Sequence, residues 1–199
     1  RGRSIRNFTP SRIDWGMTSS TNPSPARWAA WSRLAKPARR GSLPWLDAGS
    51  SAEEEPPLDR RARAQGERLV RGVLRHRSLL DAWAEREGLF NPKLTPEAVR
   101  WVLRLAVYEK IFQAQAPDYA IGQEAVDLAR KAAGSRAASF VNAVVRRLLP
   151  RLPSDPDAMR KDPFWAKMDE SVRWSIPKPI IEHYRQAYGA SADAVLGAL

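Results

Sequence analysis

The sequence has 199 residues, enough for one well-packed domain with short additional segments. It contains no cysteine, which excludes disulfides, thiolate metal sites and a cysteine nucleophile within these residues. Lys and Arg exceed Asp and Glu by 33 to 22, and a net charge of +11 favours a polyanionic partner, most often nucleic acid. No window approaches the roughly 18 apolar residues of a membrane span. We therefore expect a cytoplasmic protein that does not bind a membrane.

The positive charge is unevenly distributed along the chain. Residues 1–46 carry nine Arg and Lys against one Asp, whereas residues 47–199 carry 24 Arg and Lys against 21 Asp and Glu. A helical domain that is simply rich in arginine is the alternative to a polyanion-binding protein. A smaller basic cluster follows the N-terminal region and consists of Arg60, Arg61, Arg63, Arg68, Arg71, Arg75 and Arg77.

The N-terminal part contains one segment with regular spacing. Residues 1–24 are poor in apolar residues and rich in Ser, Thr, Pro and Arg, which predicts a disordered basic tail. Residues 26–36 predict a short helix, because Trp28, Trp31 and Leu34 recur at helical spacing. Residues 41–57 predict a loop whose acidic run at 53–55 is more consistent with a solvated linker than with catalytic carboxylates.

From residue 58 onward the apolar spacing is helical. Residues 59–87 predict one long helix or a helix pair, with Asp59 as N-cap. In the next helix Thr95 is the predicted N-cap, with Pro96 at the first helical position and Glu97 in the first turn. That helix is apolar on nearly every side, so we expect it at the centre of a helical bundle.

Residues 118–134 predict an amphipathic helix that ends at Gly134. We expect Asp127 and Lys131 to form an exposed i,i+4 ion pair on its outer face. The residues expected to face the core are Ile121, Ala125, Leu128 and Ala132.

The segment SFVNAVVRRLL, residues 139–149, combines an apolar face with polar groups. Asn142 lies within that face, and we expect its amide to bridge to the backbone or to a neighbouring helix, because buried polar groups need partners. Arg146 and Arg147 favour the helix dipole and are candidates for an RNA surface. The residues expected to pack together are Phe140, Val141, Val144, Val145 and Leu148.

The last fifty residues continue the helical pattern. Three prolines within residues 152–163 predict a linker. A helix is predicted to begin after Pro177 and to end at Gly189, with another helix following it. Because no stretch shows the period-two alternation of a strand, the sequence predicts an all-α fold.

The sequence shows no catalytic machinery. It has no glycine-rich phosphate loop and no HExxH motif. His76 and His183 lack a placed carboxylate or nucleophile nearby in the sequence, so packing or surface roles are favoured for both. We expect no catalytic residue, no cofactor-binding residue and no metal ligand here, and a function that depends on binding.

Residues 59–149 resemble the NusB domain. The resemblance rests on LRLAVYEKIF, YAIGQEAVDLARK and FVNAVVRRL, which occur in the order of that family. DRRARAQGERLVRGVLRHRSLLDAW is similar to the family's preceding helix, and residues 26–36 give a weaker match. The resemblance implies a NusB-like helical bundle over residues 25–150, between the tail at 1–24 and a segment at 151–199 that begins as a linker.

NusB-like domains occur alone, as transcription antitermination factors, and fused to RNA methyltransferases. SVRWSIPKPIIEHYRQAYG resembles the stretch that leads into the catalytic domain of small-subunit (16S) rRNA cytosine-C5 methyltransferases of the RsmB/Fmu/Sun family, although Ile176 stands where that family usually shows His. This implies the N-terminal part of such an enzyme, truncated at Leu199. S-adenosylmethionine and two catalytic cysteines would belong to the missing methyltransferase domain, a possible partner of these residues.

The resemblance also implies RNA-binding residues. In stand-alone NusB factors the first helix and the region around the F-V-N signature contribute to RNA binding, which here points to Arg27, Arg136 and Phe140. The basic cluster adds Arg75 and Arg77 on charge alone. The expected partner is RNA, small-subunit rRNA in the methyltransferase interpretation, held through phosphate contacts. The alternatives are a stand-alone antitermination factor and a helical fragment that serves only protein interaction.

Overall fold

The computed structural model describes residues 22–35, 58–86, 91, 94–113 and 116–198. Every regular element in these ranges is helical, which confirms the all-α prediction. The predicted tail before residue 22 and the loop at 41–57 lie outside the described residues. Among the described helices, none combines the length and apolarity needed to cross a membrane.

The helices are numbered in chain order. For residues 59–87 the sequence left one long helix or a pair open, and the structure shows a pair; within the predicted linker it shows a short helix. The elements are α1 (Pro25–Ala35), α2 (Arg60–Arg75), α3 (Arg77–Glu85), α4 (Glu97–Tyr108) with a π-helical continuation (Glu109–Gln113), α5 (Asp118–Leu148), a 3-10 turn (Leu149–Arg151), α6 (Pro156–Lys161), α7 (Pro163–Lys167), α8 (Glu170–Trp174), α9 (Lys178–Tyr188), a 3-10 turn (Gly189–Ser191) and α10 (Ala192–Ala198).

Two helix starts show how local chemistry sets the boundaries. Asp59 caps α2 as predicted, because its carboxylate accepts a hydrogen bond from the backbone N–H of Ala62 at 2.6 Å. The prediction that Thr95 caps α4 is wrong. Its hydroxyl instead donates to the carbonyl of Asn91 at 2.8 Å, and Pro96 is the residue that precedes the helix.

Helix α4 is the centre of the bundle, as predicted. It is buried without interruption from Trp101 to Tyr108. This continuous burial includes one charge, Arg104, which the apolar pattern does not reveal. Its guanidinium donates to both carboxylate oxygens of Asp81 on α3, at 2.7 and 2.8 Å, and lies 4.3 Å from the ring centroid of Trp101.

Helix α5 changes direction at Gly134, where the sequence predicts a helix end. Gly134 has φ 84° and ψ −179°, a conformation that side chains other than glycine rarely adopt. The predicted exposed pair of Asp127 with Lys131 is wrong. Asp127 is buried and accepts from Arg130 and Gln123 at 2.7 and 3.0 Å. The Lys131 ammonium lies 4.0 Å from the ring centroid of Trp28 on α1.

The apolar face of the second half of α5 packs mostly as expected. The prediction that Phe140 packs into the core is wrong, since 37% of Phe140 is exposed. Residues on the buried face follow helical spacing, whereas Phe140 lies at its edge. The buried members are Val141, Val144, Val145 and Leu148.

The helices beyond residue 150 pack onto the bundle. Met159 and Met168 belong to the same buried cluster as α2 to α5. Phe164 on α7 meets Trp83 on α3 edge to face, with ring centroids 5.1 Å apart. Farther on, Ile176 and Ile181 form a second, smaller core with Leu196.

Three stacked aromatic rings lie where the end of α2 packs against the end of α4. The ring centroids of Tyr108 and Phe112 are 5.2 Å apart, and those of Phe112 and His76 are 4.3 Å apart. Tyr108 passes directly over Gly72, so that a Cβ atom at position 72 would overlap the tyrosine ring. Gly72 therefore allows α2 and α4 to approach closely.

We predict that Gly72→Ala destabilises the protein by about 1–3 kcal/mol, since the Tyr108 ring would have to leave its position. Gly122→Ala is the matched control. A Cβ at Gly122 meets Val145 at an ordinary 3.7 Å, and removing a mid-helix glycine is worth up to about 1 kcal/mol of stabilisation. Urea unfolding measures both. Equal stability of the two variants would contradict the close approach at Gly72.

A second prediction concerns pH. Burial, with the charge of Arg75 adding to it, lowers the pKa of His76 from 6.5 to about 4. The imidazole of His76 then binds a proton more tightly in the unfolded state than in the folded state. The folded state is therefore most favoured above pH 6.5, where His76 is neutral in both states, and it loses stability as the pH falls toward 4. Between pH 7 and pH 5 we expect a loss of at most about 2 kcal/mol.

His76→Phe should reduce that loss, because phenylalanine can keep the stack on Phe112 without titrating. Burial raises the pKa of Glu109, against the attraction of Arg27, so its contribution has the opposite sign. The change in the free energy of unfolding between pH 7 and pH 5 is therefore measured by urea unfolding for wild type and variant, and the two changes are compared. An identical pH dependence would rule out His76 as its source.

Candidate nucleic-acid interface

Arg27 lies at the start of α1 and is held by two carboxylates. Its Nε contacts both carboxylate oxygens of Glu109, at 2.8 and 2.9 Å, and its Nη1 lies 3.1 Å from Glu124. The side chains of Arg27 and Glu109 are 13% and 5% exposed. Burial acts to lower the pKa of Arg27, but the two carboxylates raise it overall. These two ion pairs thus connect α1 to the residue that follows α4 and to α5.

Arg75 and Arg77 lie on either side of His76, where α2 passes into α3. The Arg77 guanidinium is 5.5 Å from the ring centroid of Trp101, and the Arg77 residue is exposed. Arg75 is half-buried. The structure therefore places these two predicted residues together at one helix junction, with the second facing solvent.

A shallow basic groove extends from this junction along α2. Arg68, Arg71 and Arg75 recur at helical spacing and line it together with Gly72 and Tyr108. One carboxylate, Glu67, also lines it and pairs with Arg71 at 2.8 Å. Burial raises the pKa of Tyr108. Sequence analysis missed Tyr108 as a candidate. The available signal was a tyrosine within an otherwise apolar buried helix.

Arg136 and Phe140 lie four residues apart just after the bend in α5. Both are exposed, so the bend presents a cation and an aromatic ring on the same helical stretch. Cations and exposed rings are the two features that single-stranded nucleic acid uses, through phosphates and base stacking. The five predicted residues thus occupy three places: the α1 ion pair, the α2–α3 junction and the bend of α5.

Asn142 lines a cleft between the two halves of α5. The cleft has a volume of about 130 Å³ and also includes Tyr119, Arg130 and Arg146. The expected bridge from Asn142 to backbone or to another helix is not formed among the described residues. Its half-buried amide faces a polar cleft instead, which explains how a polar group is accommodated at this position.

The described residues present guanidinium groups and aromatic rings at these places. Within them no cluster of His, Asp and Glu has the arrangement of a metal site. His183, the second histidine, is exposed on α9. The arrangement can bind a polyanion through guanidinium groups and flat rings.

Comparison with known proteins gives a consistent result. The model of the NusB family matches residues 38–150. Transcription antitermination protein NusB of Rubrobacter xylanophilus is 42% identical over 81 residues, which is 40% of this chain and 58% of that protein. The chain thus spans less than two thirds of that relative's length.

Two further relatives extend the match. Transcription antitermination protein NusB of Frankia casuarinae is 31% identical over 113 residues, 56% of this chain and 80% of that protein. Ribosomal RNA small subunit methyltransferase B of Thermus thermophilus is 34% identical over 138 residues, 69% of this chain and 30% of that protein.

We predict that Arg27→Met destabilises the protein by about 3–5 kcal/mol, because it leaves the Glu109 carboxylate buried without its partner. The double variant Arg27→Met with Glu109→Leu should recover part of that loss. Arg71→Met is the control, since the exposed pair of Arg71 with Glu67 contributes at most about 1 kcal/mol. Urea unfolding gives all three values, and equal losses for Arg27→Met and Arg71→Met would refute a structural role for Arg27.

Proposed function

The chain belongs to the NusB family, and from this membership we propose that it is the RNA-binding N-terminal region of a small-subunit rRNA cytosine-C5 methyltransferase. In this proposal the described residues hold the RNA, and the catalytic domain lies elsewhere in the protein. The partner is small-subunit rRNA.

The observation that carries the proposal is the folded segment beyond residue 150. Helices α6 to α10 follow the family match. Helices α6 to α8 pack onto the core of the bundle, in which Met159 and Met168 are buried, whereas α9 and α10 pack around the second, smaller core. The Thermus thermophilus methyltransferase matches over 138 residues, so that similarity extends outside residues 38–150. Both facts favour a NusB domain that continues into a larger protein.

In this function the interface works through phosphate contacts and stacking. Arg75 and Arg77 would neutralise phosphates at the α2–α3 junction, and Arg136 would do so at the bend of α5. The exposed ring of Phe140 would stack on an unpaired base. We assign Arg27 a positioning role, since its guanidinium is already engaged by two carboxylates.

S-adenosylmethionine does not fit the described residues. They contain no strand followed by a glycine-rich turn, and their two glycines with positive φ, Gly134 and Gly189, lie in open surroundings within or at the ends of helices. These residues on their own are expected to bind RNA without methylating it.

The second candidate is a NusB-type transcription antitermination factor. The observation that favours it is the name of the Rubrobacter xylanophilus relative, which is more identical to this chain, at 42%, than the methyltransferase. The coding sequence that follows Leu199 separates the two. A methyltransferase domain there supports our proposal, whereas a stop codon directly after Leu199 favours the antitermination factor.

RNA binding itself is tested by fluorescence anisotropy with a small-subunit rRNA hairpin at several salt concentrations. We predict that the chain lacking residues 1–24 still binds, since the interface lies in the folded helices. Arg75→Ala with Arg77→Ala should weaken binding and lower the salt slope by about 0.7 to 0.9 for each lost phosphate contact.

Lys161→Ala with Lys167→Ala is the matched control, because it removes the same charge from exposed positions on α6 and α7. The expected result is a smaller effect than that of the arginine pair. The proposal fails if deletion of the tail abolishes binding and neither double substitution changes the RNA affinity of the full chain. The folded helices would then not bind RNA.

A further inference from the structure

A cavity of about 190 Å³ lies where the helices beyond residue 150 meet the NusB domain. The α2–α3 junction and the π-helical end of α4 form one side of it. Residues from α6, α7, α8 and α10 form the other side. The cavity therefore needs both parts of the chain, and of its lining residues only Arg75 also belongs to the predicted interface.

Aromatic rings form much of its wall. His76 stacks on Phe112 with ring centroids 4.3 Å apart and planes 10° apart. Opposite them, Trp165 and Trp174 meet edge to face at 5.8 Å. Because the pKa of His76 is lowered to about 4, chiefly by burial, its ring is neutral near pH 7 and behaves as a flat stacking surface. The wall thus suits a planar ligand.

The charges that line the cavity are all positive. Arg75, Arg160 and Arg173 contribute guanidinium groups, and no carboxylate is among the lining residues. Arg160 does contact Asp157 at 3.4 Å, but that carboxylate is 82% exposed, and such a pair contributes little. The cavity is therefore suited to an anionic group.

Two residues that line the cavity each carry a buried donor that lacks an acceptor. The Nε of Arg173 and the Nε1 of Trp174 are buried without a hydrogen-bond partner among the described residues. Other donors of Arg173 are used, since its Nη2 donates to the carbonyls of Ala166 and Met168 at 3.2 and 3.0 Å. A buried unsatisfied donor is unfavourable, and an acceptor from a ligand would offset that cost.

We propose that this cavity binds one unpaired nucleotide of a single-stranded RNA segment. Its phosphate would accept from Arg160, Arg173 and the Trp174 indole, and its base would lie against the aromatic wall. The volume is below the roughly 300–1,000 Å³ of a complete ligand site, so the cavity suits one unit of a ligand that continues outside it. An acidic peptide would satisfy the arginines but would leave the rings unused.

The inference rests on the proposed RNA-binding function and deepens it, because it adds a contact outside residues 38–150. The test uses the 199-residue chain and a short single-stranded RNA that carries fluorescein and 5-bromouridine. Anisotropy gives affinity and salt slope, and photocrosslinking followed by mass spectrometry locates the bound uridine on the wild-type protein.

We expect Trp174→Phe to weaken binding about three- to tenfold, since it keeps an aromatic ring but removes the indole donor. Arg160→Ala should weaken binding and lower the salt slope by about 0.7. Lys161→Ala is the matched control: it removes the same charge one residue away, and Lys161 does not line the cavity. Crosslinks are expected on Trp165 or Trp174.

The outcomes separate this inference from the function on which it rests. Wild-type RNA binding that neither cavity substitution alters, with crosslinks elsewhere, overturns the cavity site and leaves RNA binding intact. Absence of any RNA binding overturns both. Displacement of the crosslink by an equal concentration of uridine monophosphate would reassign the site to a free nucleotide. Protection of the cavity by polyglutamate but not by RNA would reassign it to an acidic protein.

Discussion

The burial of α4 around its whole circumference determines how the other helices are placed. A helix with no solvent-facing side must have each of its charges matched by a neighbour. Arg104 is matched by Asp81 on α3, and Glu109, just after α4, is matched by Arg27 on α1. These two ion pairs fix the positions of α1 and α3 relative to the centre, in addition to the apolar packing. Buried pairs of this kind contribute more to the choice of one arrangement than to net stability.

The candidate interface follows from this arrangement. With the centre fully enclosed, the arginines of α2 and the ring of Phe140 are directed to the surface, where a polyanion can reach them. The close approach of α2 and α4 at Gly72 places Tyr108 beneath the arginines. The helices after residue 150 then add a second cationic surface with aromatic walls.

Periodicity predicted α1 to α5 and α9, but it predicted neither the short helices α6 to α8 nor the partners of the charges. Asp59 and Gly134 act locally, so their roles could be inferred from sequence. The partner of Arg27 is 82 residues away, and nothing in the local pattern indicates it. Asp127 was assigned to the surface because charged residues usually lie there, whereas hydrogen bonds from Arg130 and Gln123 make its burial possible. The cavity was not predictable, because its lining residues come from segments far apart in the chain.

The shared core of the NusB domain and the later helices has a consequence for folding during synthesis. Phe164 packs against Trp83, and Met168 belongs to the same buried cluster. The core around Trp83 is therefore completed by residues that lie beyond residue 150. A nascent chain that has emerged from the ribosome only as far as residue 150 therefore still exposes part of its apolar surface to solvent. The family match ends at residue 150, whereas the buried cluster of the bundle continues to Met168.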